Sequence, residues 1–508
     1  MTGQPDKPFK GDQSQSEPQI GTDEWVSEVE QRRRGREGFF GRLYDRWLAI
    51  PRLRRTLYVA LVILAMPLIT AAPPILTLLD ISSNNFIVRV GTMFLAFSIL
   101  AIGLNVVVGY AGLLDLGYVA FFGISGYAYA YMSSNFIGDG VHVPSIISVP
   151  LIIGLTAGIG WILGSSSLRL RGDYLAIVTL GFGLLFVQLV LTLTRVKIPG
   201  IEGTVDLTRG PNGINLLDNI SLFGFTFRST THYYYLFFAL LAAVYVSVDH
   251  IRNSRIGRAW RSMREDELAT EVLGTPTRRL KLLAFAMGAG IAGLAGAVFA
   301  AWQGNVAPIR YDVLLLIDLY AMVVLGGLGS LPGAVVGAFI FTILPELLRN
   351  VQLAGFLFYV GILVALVFWL KPSRRLLYVL GGTILGGLAL KFGVQALVPV
   401  WDSGVFPAQG SIINQVVQSW LIIPENFRLA GNIAVGLAIL TVLGVNYADS
   451  GWRWVWLGVS LYLVAFSWET RLATEASVTR ILIVGLSLIV LMVRRPQGLL
   501  GKLRVTIV

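Results

Sequence analysis

The chain has 508 residues, of which 55% are hydrophobic and only 14% charged, against roughly 25% charged in soluble domains. With no Cys there is no disulfide framework and no Cys-ligated metal or iron–sulfur site, and His142, His232 and His250 are too scattered for a metal centre. The net charge of +11 marks cytoplasmic loops of a membrane protein rather than a nucleic-acid partner.

Residues 1–56 read as a cytoplasmic basic arm. Its first twenty or so residues are polar, Pro/Gln/Ser-rich and disordered by composition. Arg32, Arg33, Arg34, Arg36, Arg42, Arg46, Arg52, Arg54 and Arg55 follow, too long and polar a lead for an ordinary signal peptide. Phe39, Phe40, Leu43, Trp47 and Leu48 fall at helical spacing and suit the inner leaflet, although a basic tail that only sets orientation explains them equally well.

Apolar segments then recur at 57–79, 87–108, 113–133, 145–164, 174–194, 233–250, 282–303, 313–327, 331–348, 353–370, 376–400, 428–446, 453–468 and 478–493. The pattern predicts an all-α, polytopic transmembrane helical bundle of about 14 segments with both termini cytoplasmic. The two segments at 313–348 are short, and the Gly326–Gly333 stretch between them suits a re-entrant turn as well as a loop. Basic residues place the loops at 165–173, 251–281, 371–375 and 494–504 inside; the span count does not give every one of them the right parity, and the charges take precedence.

Intramembrane acids are few. Asp318, in Leu316-Ile-Asp-Leu-Tyr320, is the most nearly intramembrane; a hydrogen bond to a neighbouring helix is favoured over ion coupling. Small residues are more prominent. Gly288/Ala292/Gly296, Gly333/Gly337 and Gly382/Gly386 are stripes that let helix backbones approach. There is no Gly-x-x-x-x-Gly-Lys-Ser/Thr loop and no nucleophile–base cluster, so the chain is read as a transport subunit, not an enzyme, with any ATPase on another chain.

The most charged stretch between spans is Arg252–Lys281, a loop suited to a soluble partner on the cytoplasmic face. Arg258, Arg264, Glu265, Asp266, Glu267, Glu271 and Gly274 are its candidate partner-contacting residues.

An ordered set of motifs resembles the permease subunit of branched-chain amino acid ABC importers, the LivM type. Gly109-Tyr110-Ala-Gly112-Leu-Leu-Asp115-Leu-Gly117 is similar to the family's early signature. Leu168 to Gly183, with Arg171, Gly172, Asp173, Tyr174, Gly181 and Gly183, resembles its most recognisable block. Gly210-Pro211-Asn212-Gly213-Ile214 is similar to an external loop motif. Ser254–Trp260 with Arg264–Glu267 and Gly274 resembles the cytoplasmic coupling loop, and Val324–Ser330 and Arg495–Gly501 complete the set. Leu184 stands where the family usually has an acid, and Arg209 where a second Gly is common.

The resemblance implies a permease core over 57–371, with coupling loop 251–281, and an extra insertion over 372–477 that precedes a final span and cytoplasmic tail at 478–508. Lys371–Leu377 already looks like the family's ending, which recurs at Arg494. The insertion is added bulk or a contact for the binding protein, lipid or a second permease.

By the same resemblance the chain sits in a bacterial inner membrane. Its partners are a homologous permease, two ATPase subunits that use ATP and Mg, and an extracytoplasmic binding protein. This chain binds no cofactor of its own. The cargo is a branched-chain or related apolar amino acid, with urea, amides or aromatic acids as alternatives. A stand-alone carrier or channel, or a scaffold without transport, are the competing classes. Asn105, Thr179 and Gln188 are candidate path residues for the zwitterionic ends, each equally able to serve as a helix–helix hydrogen bond.

Overall fold

The structure of the chain is a computed structural model, and it describes residues 84–136, 142–167, 173–194, 196, 206–349, 351–370, 374–402, 404, 412–447, 452–472, 485, 489 and 498–500. All of these belong to one compact unit, Thr70–Val508. The basic arm, the segments at 57–79 and 478–493, and both termini lie largely or wholly outside the described residues.

The described chain is almost entirely helical. The elements are α1 (Asn84–Leu104), α2 (Tyr118–Met132), α3 (Ser145–Ser167), α4 (Asp173–Thr192), α5 (Thr230–Asn253), α6 (Arg255–Glu265), α7 (Glu267–Val272), α8 (Thr277–Gln303), α9 (Val313–Gly326), α10 (Leu331–Leu347) and α11 (Val351–Leu370). The block beyond them adds α12 (Arg374–Leu397), α13 (Ile412–Trp420), α14 (Phe427–Tyr447) and α15 (Arg453–Ser467). Two π-helical turns, Asn105–Tyr110 and Trp468–Leu472, extend α1 and α15. Four two-residue strands form two pairs: β1 (Ile214–Asn215) with β4 (Asn305–Val306), and β2 (Ser221–Leu222) with β3 (Phe225–Thr226).

Of the expected segments, those at 57–79 and 478–493 lie largely or wholly outside the described residues. Six helices among the described residues are long and apolar enough to span a membrane. Among the rest, α11 and α14 are 20 and 21 residues long, while α9 is truly short. The 14-residue α9 reaches only about 21 Å at 1.5 Å per residue, short of the roughly 30 Å hydrocarbon core.

At the centre stand α1 and α8, whose apolar windows are 89% and 72% buried. Small residues make that closeness possible. A Cβ on Gly288 would strike Val107, one on Gly293 would strike Thr156 of α3, and one on Gly296 would strike Ser125 and the Phe122 carbonyl of α2. Gly326, Gly333 and Gly337 do the same for the α9–α10 hairpin, where each would meet the facing backbone.

The block beyond α11 is held differently. Trp468 stacks on Phe358 of α11, with centroids 3.9 Å apart and planes 9° from parallel. Beside it the buried Glu469 carboxylate accepts from Tyr359 Oη at 2.7 Å and Gln418 Nε2 at 2.9 Å. A buried carboxylate needs such donors at both oxygens.

Candidate functional site

Parts of several signature motifs, scattered over some 400 residues of chain, come together at the end of the bundle that carries α6 and α7. Asn105 opens the π turn and is wholly buried. Its Nδ2 donates to Ser330 O at 3.2 Å, and its Oδ1 accepts from Gly329 N–H at 2.8 Å. It thereby clamps the tip of the α9–α10 hairpin. Gly109 is equally confined, because a Cβ there would meet Asn105 Oδ1 and Gly329 N. Such π turns tend to be kept where function needs them.

The non-helical run Ala111–Gly117 follows. Tyr110 is buried and Gly112 adopts a positive φ of 72°, a conformation natural to glycine. Asp115 Oδ1 accepts from Gly117 N–H at 2.9 Å, and its Oδ2 has no partner in the chain. Tyr320 of α9 donates to Asp115 O at 2.7 Å. Thr179 of α4 accepts from Leu116 N–H at 2.9 Å and donates to Ala176 O at 3.0 Å. A Cβ on Gly117 would meet the Thr179 carbonyl. One short turn therefore ties α4 and α9 to the base of α2. Asp115, Thr179, Phe121, Phe182, Leu163, Val178 and Phe285 line a small cavity there.

The charged loop reaches this hub. Ser254 caps α6 by accepting from Ile256 N–H at 3.2 Å, and Asp266 caps α7 by accepting from Ala269 N–H at 3.0 Å. Buried Trp260 donates from Nε1 to Leu280 O at 2.9 Å, fixing α6 to the base of α8. Lys281 pairs with Glu267 at 2.5 Å. Arg264 turns inward and donates through Nη1 to Gly109 O. Side chains at Gly112 or Gly329 would collide with it, and Gly329 has a φ of 78°. Arg258, Glu265 and Glu271 are exposed, with Arg258 bonded to Asn253 O at 3.1 Å.

On the outer side, α7 and its exit present Leu268, Val272 and Leu273, which are 68%, 87% and 81% exposed. Gly274 follows at φ 80° with open space around its Cα. The loop thus has an apolar outer knob and an inward-facing Arg264. The inward aim is readable from period alone, since Gly257, Trp260 and Arg264 follow a 3.6-residue face. The knob has no such signal.

Two further motifs join at defined places. The carboxyl-terminal stretch returns to the core, where Leu499 and Leu500 N–H donate to Leu325 O and Gly326 O at 2.8 and 2.9 Å. Those carbonyls end α9 and lack helical partners of their own. At the other end of the bundle, Gly210–Asn212 form a 3-10 turn, with Pro211 and Asn212 exposed. A Cβ on Gly213 would strike Val306 O, where β1 pairs with β4.

The remaining candidates spread along α4. Arg171 and Gly172 lie outside the described residues, and Asp173 begins the helix. Tyr174 is 66% exposed, and Gly181 faces open space. Gly183 lies against Gly117 and the Leu116 carbonyl. Among the proposed path residues, Asn105 and Thr179 are committed to bonds inside the chain. Gln188 is exposed on α4, and no group in the chain partners its side chain.

Asp318 differs from its sequence reading. Among the described residues no group bonds to its carboxylate, and it lies exposed on α9 with Leu314 and Ile317. A carboxylate facing lipid near the bilayer centre costs about 3 kcal/mol or more.

The apolar helices and these motifs define a multi-pass transport permease of the inner-membrane type. The family of the branched-chain amino acid transport system permease component matches residues 86–370, and the chain belongs to that family. It is 35% identical to the high-affinity branched-chain amino acid transport system permease protein LivM of Escherichia coli K12 over 312 residues, covering 57% of this chain and 69% of that one. It is 27% identical to the probable LivM of Methanocaldococcus jannaschii over 304 residues, covering 53% and 82%. Similarity to the LivH permease of Escherichia coli K12 is 26% over 263 residues, covering 50% and 81%. No solved structure matches the chain.

Proposed function

We propose that this chain forms one half of the translocation path of an ABC importer for branched-chain and related apolar amino acids. A homologous permease completes the path, two ATPase subunits using ATP and Mg drive it, and an extracytoplasmic binding protein delivers the cargo. The observation that carries this reading is the loop of α6 and α7. Its exposed Leu268, Val272 and Leu273 suit a cleft on a soluble partner, while Arg264 bonds to Gly109 O at the hub of the spans. A push on the knob is thereby passed to α1, to the hairpin tip and to the turn that holds α4. Rigid-body motion of an ATPase pair is the kind of input such a linkage transmits. The kinship to both LivM and LivH permeases supports a paired assembly.

The test is leucine uptake by the reconstituted complex with and without ATP and binding protein, with urea as the competing solute. ATP-dependent leucine uptake, inhibited by isoleucine and valine but not urea, is expected. Urea uptake instead would change the cargo and keep the machine, whereas uptake by this chain alone would overturn the importer reading. In the same assay Arg264→Ala is expected to cut uptake on the order of tenfold while ATP hydrolysis persists, about 1.4 kcal/mol of lost coupling. Gly274→Arg places bulk beside the knob and is expected to uncouple as well, with membrane insertion intact. Wild-type uptake by both variants would sink the docking role of the loop.

A further inference from the structure

The level of Asp318 within the bundle can be read from its neighbours. Tyr311, just before α9, packs on Gly123 and Gly126 at the middle of α2 and against the rings of Phe122 and Tyr127. Tyr320, two residues after Asp318, reaches Asp115 O just before α2 begins. Asp318 therefore lies between the middle and the base of α2, inside the layer of helices. It stands on α9, a helix too short to span, which starts at mid-bundle after the β4 strand and a short 3-10 turn. Interrupted helices with this placement are where membrane transporters build their substrate sites.

Among the described residues the carboxylate is unpaired, so it does not hold two of the described helices together. Its face, with Leu314 and Ile317 at i−4 and i−1, is 70% and 56% exposed at those neighbours. A carboxylate on this face excludes lipid as its partner, which leaves protein or water. Leu116 N–H and Asp115 O, adjoining groups of one turn, anchor α4 and α9 respectively. Helix α4 also carries an exposed, unpartnered polar side chain, Gln188.

We propose that Asp318 receives the primary ammonium group of the transported amino acid, with Leu314 and Ile317 as the aliphatic wall for its side chain. The inference rests on the importer reading and deepens it, because it names the group of the substrate that this chain recognises. An ammonium is the counterpart that makes an intramembrane carboxylate tolerable, and a charge-assisted hydrogen bond between them is short and strong.

The experiment uses the complete importer in proteoliposomes, with wild type, Asp318→Asn and Asp318→Glu. Leucine uptake, binding-protein-stimulated ATP hydrolysis and co-purification of the second permease are measured on each. Asp318→Asn is expected to lower leucine uptake on the order of tenfold. Hydrolysis and co-purification stay at wild-type level, and Asp318→Glu recovers much of the uptake because it keeps the charge. Wild-type uptake by Asp318→Asn overturns this inference alone. Loss of the second permease from the Asn variant also overturns it, and makes Asp318 an interface residue. A wild-type complex that imports no amino acid overturns the importer reading, and this inference with it.

Discussion

The permease core and the block beyond α11 are both helical, apolar and rich in small residues, yet they cohere by different means. In the core, glycines are where backbones meet. Gly288, Gly293 and Gly296 on α8 and Gly326, Gly333 and Gly337 on α9 and α10 each face atoms that a Cβ would strike. In the added block, Gly382 and Gly386 on α12 face open space, and the apolar window of that helix is only 11% buried. Its attachment runs instead through the Trp468–Phe358 stack, the donors around Glu469 and a buried apolar cluster of Leu366 on α11 with Val379, Val445 and Leu457. A small-xxx-small stripe permits a close contact, but a second helix must arrive to use it.

The comparison breaks most visibly at Gly296. Leucine there must displace Ser125 and the Phe122 carbonyl, and backbone cannot yield as a side-chain tip can. Gly296→Leu is expected to cost about 3 kcal/mol or more, enough to abolish a monodisperse product in detergent. A variant that purifies and melts like wild type would show that α8 and α2 are not locked as described.

The attachment of the added block offers a smaller effect. Glu469→Ala leaves the Tyr359 hydroxyl and the Gln418 amide without their acceptor. Each orphaned donor costs about 1–3 kcal/mol when it stays buried. The expected outcome is faster proteolysis between α11 and α12 with the core resistant. Glu469→Gln, which keeps one acceptor oxygen, should fall between the two. Equal protease resistance in all three would mean that apolar packing, the Trp468 stack and the Leu366–Val379–Val445–Leu457 cluster, holds the block without the carboxylate.

Much of this organisation is legible in the residues, and the gaps have physical causes. Long apolar runs mark the helices directly: the run at 145–164 is the helix Ser145–Ser167, and that at 353–370 is Val351–Leu370. The aim of Arg264 follows from helical period. The shortness of α9 is legible too, in the short segment at 313–327; its starting level is not, and only contacts such as Tyr311 on Gly126 show that it begins at mid-bundle. The return of Leu499 and Leu500 to the end of α9 is also invisible, since backbone N–H groups carry no residue signature. Whether Asn105 lines a path or clamps a hairpin depends on its partners, Gly329 and Ser330, more than 200 positions away.

The smallest effect is expected where the sequence pattern is as strong but the contact is missing. Gly386→Leu on α12 meets nothing within 4 Å, although the adjoining Gly387 lies against the Trp420 ring. The added side chain is apolar and enters open space on a helix facing outward, so stability should stay within about 0.5 kcal/mol of wild type. Removing a mid-helix glycine even favours the helix slightly. The purified chain in detergent and the assembled importer should respond alike if lipid covers this face. If the variant is stable alone but no longer assembles, the stripe at Gly382 and Gly386 is a seat for another helix after all. The added block would then share the core's way of packing, with the second helix supplied by a partner.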